Sequence, residues 1–344
     1  MSARPRILLS TACCTTVLAI SLSGADQQQS AAAAQRAIAY LSQEVPNWPQ
    51  ENNCFSCHNN GDAARALYVA RALSHPVPPE ALAGTTAWLL RPDDWNDEKG
   101  DPGFSDLKLA RIQFAAALTE AIQTNAVQNR EPLAAAAERL LEDQEENGSW
   151  DVDVPGVVGS PATYGDTLGT YMARRTLHAA GEARFREAID RADAWFLTAT
   201  SSATVDVAAV ALALTDRLRG TPGSSAPTAA TAAVQTKFRQ VVEHLLGSQS
   251  SDGGWGPYPK SPSEPFDTAI TLLALKGALD QQEGDQQAIR EKIAKGRAHL
   301  VARQLPGGGW PETTRPSGFQ SYAQHISTSG WATLALLKTM DVAE

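Results

Sequence analysis

Apolar residues fall along this chain in paired helical stretches. In each pair an amphipathic segment is followed by one rich in Ala and Leu and apolar on nearly every side. Val207 to Leu214, Ala269 to Leu275 and Ala332 to Leu337 are the clearest of the second kind, and a helix without a polar face must be buried. Period-2 alternation is sustained nowhere, and Gly and Pro gather between the helical runs, so no sheet is expected.

The first helices of three pairs end in near-copies of one motif, Gln-x-x-x-Gly-x-Trp, at Gln144 to Trp150, Gln249 to Trp255 and Gln304 to Trp310. The first two tryptophans stand 105 residues apart and the last two 55. That spacing leaves room for a unit that has lost its motif, supplied by Ala194 to Leu197 and Val205 to Leu214. Two degenerate units come earlier: Ala83 to Leu90 with Asp106 to Ile122, and Ala32 to Leu41 with Asp62 to Leu73. Six helical hairpins result. With the apolar second helices inside and the first helices outside, the expected fold is all-α, a closed double ring, with residues 26–344 as one domain. The Pro/Ser/Thr/Ala-rich stretch 220–233 is a linker between two units of that ring.

The amino terminus reads as an export signal. Arg4 and Arg6 precede an apolar run from Ile7 to Leu22, and Ser23-Gly24-Ala25 is a small-residue cleavage pattern, so residues 1–25 are expected to be removed and the protein to be periplasmic or secreted. Ser10-Thr11-Ala12 before Cys13 is a poor lipoprotein signal. No later stretch reaches the roughly 18 apolar residues of a membrane span. The formal charge is −9, and losing Arg4 and Arg6 deepens it, which excludes nucleic acid and anionic membranes as natural partners.

Outside the leader the chain has two cysteines, in Cys54-Phe55-Ser56-Cys57-His58. Two thiols one turn apart followed by an imidazole are what covalent attachment of one c-type haem requires, with His58 as the iron ligand. Zinc is an alternative, since Cys-x-x-Cys is also a half-site, but its other ligands would have to come from dispersed residues such as His325. A Cys54–Cys57 disulfide is the third reading. His58 lies four residues before Asp62 and His325 four before Ser329, and ring closure makes the first and last units neighbours. His325 is therefore expected to approach the metal on His58.

The Gln-x-x-x-Gly-x-Trp repeats, with Asp166-Thr167 and Asp267-Thr268 starting inner helices, resemble the prenyltransferase and squalene-oxidase repeat family, the α/α toroid of squalene–hopene cyclases and protein prenyltransferase β subunits. The resemblance spans essentially the whole chain after the leader and implies the toroid fold. Two departures bear on activity. Asp151-Val152-Asp153-Val154 mimics the Asp-x-Asp-Asp acid of triterpene cyclases but lacks its last aspartate. Protein prenyltransferases hold zinc with a late cysteine, and no cysteine follows residue 57. Neither a competent triterpene cyclase nor a protein prenyltransferase is expected.

Aligning the inner runs puts Asp62, Asp106, Asp166, Asp206, Asp267 and Ser329 at equivalent helix starts, where a carboxylate satisfies unpaired N–H groups and suits the helix dipole. In a toroid these starts ring one mouth, so Asp166, Asp267 and the neighbouring Tyr164 are the candidate catalytic residues of a cavity there. Two function classes remain. One is a haem-bearing redox protein, as an enzyme a haem-dependent oxidoreductase, acting on a small or apolar molecule or a redox partner protein. The other is a non-enzymatic ligand- or protein-binding toroid with a structural metal or disulfide at residues 54–58.

Overall fold

The computed structural model describes residues 14–96, 107–152, 164–219, 229–312 and 320–342, and among them every regular element is helical. Twelve α-helices pair into the six expected hairpins: α1 (Cys14–Asn52) with α2 (Ala64–Ala72), α3 (Glu80–Leu89) with α4 (Leu107–Gln123), α5 (Glu131–Glu142) with α6 (Gly165–Ala180), α7 (Arg186–Thr198) with α8 (Thr204–Arg219), α9 (Ala229–Gly247) with α10 (Pro265–Asp280), and α11 (Gln286–Arg303) with α12 (Tyr322–Thr339). A π-helical turn, Cys57–Ala63, leads directly into α2. The even-numbered helices form the inner ring, which closes where α12 meets α2 and its π turn, and each odd-numbered helix packs from outside across two inner ones. Residues 14–25 of the expected leader continue α1 at its start; residues 1–13 lie outside the described part.

Burial follows the patterning. In α10 fourteen of the sixteen residues are buried, whereas the amphipathic α5 buries Leu133, Ala136, Ala137 and Leu140 along one stripe. Small residues let the inner helices approach closely. A Cβ on Gly330 of α12 would lie 2.9 Å from the Asp62 carbonyl, and one on Gly61 of the π turn 2.9 Å from Gln113 of α4.

The three tryptophan motifs are superimposable in their chemistry. Trp150, Trp255 and Trp310 are fully buried. Their indole N–H groups donate to the carbonyls of Leu140, Leu245 and Leu300 at 2.6, 2.8 and 2.7 Å, each in the last turn of an outer helix, where carbonyls lack their full helical partners. Their backbone N–H groups donate to Thr170, Thr268 and Ser329 hydroxyls on the following inner helices. The motif glutamines reach onward to the next outer helix, from Gln144 to the Ala188 carbonyl, Gln249 to Lys292 and Gln304 to Ala33, each at 2.9 Å. Because Ala33 belongs to α1, the last motif fastens the end of the chain onto its beginning. Gly148, Gly253 and Gly308 sit at φ of +97°, +85° and +101°, against backbone carbonyls a Cβ would meet at 2.5–2.6 Å. Glycine is required there twice over, by conformation and by space.

These bonds also correct the register of the inner helices. Thr170, Thr268 and Ser329 are the true equivalents, so Asp166 stands one turn before the position matching Asp267. Ser329 lies two turns inside α12 rather than at its start. Asp106 lies outside the described residues.

Candidate functional site

Two regions of the ring hold polar groups away from solvent, one at each end of the inner helices. At the amino-terminal end, α1 finishes at Asn52, Cys54 follows in the connecting bend, and Ser56 caps the π turn by accepting from the Asn59 N–H at 3.1 Å. Asn59 and Asn60 anchor this turn: their side-chain amides donate to the carbonyls of Glu44 and Val45 on α1, to the Tyr322 hydroxyl and to Thr85. The turn is thereby locked to α1, α3 and α12.

Cys54 and Cys57 are half-buried thiols. The His58 ring is buried between Trp48 and Tyr322, edge-on to both at centroid distances of 5.1 and 5.8 Å. Burial pushes its pKa down to about 3, so the imidazole is neutral. Its Nε2 is buried without a hydrogen-bond partner, while Nδ1 lies 4.0 Å from the Cys57 sulfur. A neutral imidazole with one nitrogen uncommitted is the form that ligates iron, and the donor set fits a c-type haem. Ring closure does bring the last unit to His58, but through Tyr322. His325 is held elsewhere, its Nε2 3.0 Å from the Tyr40 hydroxyl and its Nδ1 3.2 Å from Glu312.

Behind this turn lies a buried polar hub. Asp62 accepts from the Tyr164 hydroxyl at 2.8 Å and the Gln113 amide at 2.7 Å, and Arg65 stands 3.7 Å away. Burial raises the Asp62 pKa, against the lowering influence of Arg65, Tyr164, Ser327 and Gln113. Tyr164 thus belongs to Asp62. Asp166 is only partly buried and accepts from the Val152 N–H at 2.9 Å, a loop tie. Asp267 is fully buried. Asp151, first residue of the acidic string, is exposed, and Asp153 and Val154 lie outside the described residues.

The large cavity opens at the opposite end of the ring, where the inner helices finish. It encloses about 1020 Å³. Arg65 and Trp331 line its deepest part, and higher up come Val69, Leu212, Leu273 and Leu334. A charged collar follows, in which buried Glu120 is bridged by Lys338 at 2.9 Å and Arg175 at 3.0 Å. Burial acts to raise the Glu120 pKa, but Lys338, Arg175 and Arg65 prevail and hold it far below the carboxylate range. None of Asp166, Asp267 and Tyr164 lines this cavity. Arg65, Glu120, Arg175 and Lys338 escaped the sequence reading, although Arg65, the lone cation inside the apolar run Ala63 to Ala70, was a readable signal.

No family model matches the chain. Two curated relatives, drimenyl diphosphate synthases, share short segments with it. That of Streptantibioticus cattleyicolor is 34% identical over 88 residues, covering 26% of this chain and 15% of the relative. That of Streptomyces showdoensis is 34% identical over 71 residues, 21% of this chain and 12% of the relative. The matches therefore span less than a sixth of those enzymes. Among solved structures, a variant of the type II terpene cyclase MstE from Scytonema, in complex with geranylgeranyl dihydroxybenzoate, superposes with a TM-score of 0.57 at 14% identity, covering 92% of this chain and 99% of that one. A polysaccharide lyase gives 0.58 at 12% identity over 89% and 97%. A possible GH105 member from Klebsiella pneumoniae gives 0.57 at 12% over 98% and 95%. The fold is an α/α toroid. At such identities cyclases and carbohydrate-active proteins share it alike, so it carries no reaction with it.

Proposed function

We propose that this protein is an exported toroidal haem c protein with a redox role. The observation that carries the reading is the His58 imidazole, buried, neutral and with Nε2 uncommitted, its Nδ1 4.0 Å from the Cys57 sulfur in the Cys-x-x-Cys-His sequence that also holds Cys54. Cys54 and Cys57 would attach one haem and His58 would ligate its iron; when bound, the group supplies a one-electron couple. Trp48 and Tyr322 keep water from the imidazole, and Asn59 and Asn60 fix the turn that presents it. Zinc is less well served, because among the described residues no three His, Cys, Asp or Glu side chains are grouped to hold a metal ion. The partner is a redox protein or a small molecule.

Neither the synthase activity named for the two relatives nor the terpene cyclisation named for MstE is part of this reading. The acidic string begins at an exposed residue, and the buried carboxyl of Asp62 is engaged by Tyr164 and Gln113 rather than facing the cavity. Export in a host carrying haem-maturation machinery tests the proposal. The purified protein should gain the mass of one haem, stain for haem after denaturation and show the visible bands of a c-type centre. An unmodified mass with titratable thiols, or with a Cys54–Cys57 disulfide, would refute it.

A further inference from the structure

The floor of the central cavity holds an under-satisfied cation. Arg65 is 3% exposed, its Nε is buried without a hydrogen-bond partner, and its one ion-pair contact, with Asp62, is long at 3.7 Å. Its guanidinium lies 4.5 Å from the Trp331 ring centre. A buried guanidinium carries five donors and a charge that must be compensated; Asp62 already serves Tyr164 and Gln113, and Glu120, which feels the Arg65 charge, is bridged directly by Lys338 and Arg175. The other cations lining the cavity are engaged: Arg175 and Lys338 by Glu120, Lys276 by Asp280 and Asp341, Arg219 by Asp216 and Asp280. The deep cavity therefore offers one cation with unused donors.

Arg65 stands in the first turn of α2, toward the positive ends of the inner-helix dipoles, whereas the open mouth lies at their negative ends. An anion is thus favoured at the floor and disfavoured at the entrance. Between the two, Val69, Leu212, Leu273 and Leu334 form an apolar belt. The volume, about 1020 Å³, is at the upper end of small-molecule sites.

We propose that this cavity binds a monocarboxylate carried on an apolar body, its carboxylate on Arg65 and its body within the belt. One cation with free donors matches one negative charge and the planar fork of a carboxylate. A diphosphate would bring two or three charges to a floor with one cation. The cavity opens at the other end of the ring from His58, and although Arg65 stands behind the turn that carries His58, the inference uses neither that imidazole nor the thiols, so it is independent of haem attachment.

Calorimetric titration of the full chain with dodecanoate, dodecanol and farnesyl diphosphate tests it. Dodecanoate should bind one to one, about ten- to a hundredfold more tightly than dodecanol, the range expected for a buried charge-assisted hydrogen bond, and farnesyl diphosphate more weakly than dodecanoate. Arg65→Gln should remove the preference for dodecanoate while leaving dodecanol binding intact, and Leu212→Trp, which fills the belt, should abolish both. Equal affinity for dodecanoate and dodecanol in the wild type would show that Asp62 satisfies Arg65 and would overturn the proposal even if Arg65→Gln failed to fold. Tightest binding of farnesyl diphosphate, or unaltered binding by Leu212→Trp, would overturn it as well.

Discussion

Trp255 does three things at once: it fills a fully buried space, donates its indole N–H to Leu245 at 2.8 Å, and ties its backbone N–H to Thr268. Trp255→Ala should therefore cost about 3–5 kcal/mol, read as a lower denaturant midpoint with no selective change in ligand binding. Gly253→Ala should cost about 1–3 kcal/mol through its φ of +85° alone, and more because its Cβ would fall 2.6 Å from the Lys295 carbonyl. Glu120 gives a pH-dependent case. Its folded pKa is depressed, so its contribution is present above the unfolded value, near 4.5, and is lost as pH falls below it. Glu120→Gln should destabilise the protein by about 2–3 kcal/mol near neutrality, less than for a fully buried pair because 37% of the Lys338 side chain is exposed. In chemical denaturation across pH, the gap between wild type and variant should close progressively below about pH 4.5; a gap independent of pH would count against the Glu120 assignment.

At the scale of the element, the hairpins were legible because two signals agreed: helices apolar on all sides announced an inner ring, and the tryptophan motifs marked each passage from outer to inner helix. Register was less legible. Asp166, Asp267 and Ser329 look alike at the starts of apolar runs, but the hydroxyl that meets the tryptophan N–H defines equivalence, and it comes 20, 13 and 19 residues after the respective tryptophans. Loop lengths vary freely in such a fold, so spacing in sequence misaligned what hydrogen bonding aligns. The same slip explains why Tyr322, at the first turn of α12, reaches His58 while His325 reaches Tyr40 and Glu312. In the haem-loaded protein His325→Ala should accordingly leave the visible spectrum and cyanide affinity unchanged, whereas Tyr322→Ala, which unwalls His58, should shift both. A spectral change in the first variant alone would restore His325 to the metal. The larger cavity stands where the inner helices end; at their starts the Asp62 hub and the π turn fill the side next to α2, and a smaller pocket of about 500 Å³ is lined by Thr167, Asp206 and Val207 at the starts of α6 and α8.

At the scale of the molecule, closure is the property that separates this fold from an open helical array. In an open array the end units have a single neighbour and fray independently. Here Gln304 of the last motif donates to Ala33 of α1 and to Gly308, while α12 packs on α1, α2 and the π turn, so the first and last units support each other. Gln304→Ala deletes two seam bonds to α1, the amide to the Ala33 carbonyl and the one accepted from Arg36, yet leaves every other motif whole, and Gln249→Ala deletes the equivalent of the first between two interior units. If the ring unfolds as one body, both variants should lower stability, by on the order of 1 kcal/mol for each neutral hydrogen bond lost and somewhat more for Gln304→Ala, which also loses the exposed bond from Arg36, each within one calorimetric transition. If the seam were a mere juxtaposition of chain ends, Gln304→Ala would split off a separate early transition, with rapid amide exchange confined to α1, α11 and α12. A single shared transition with protected amides in both α1 and α12 is the expected result.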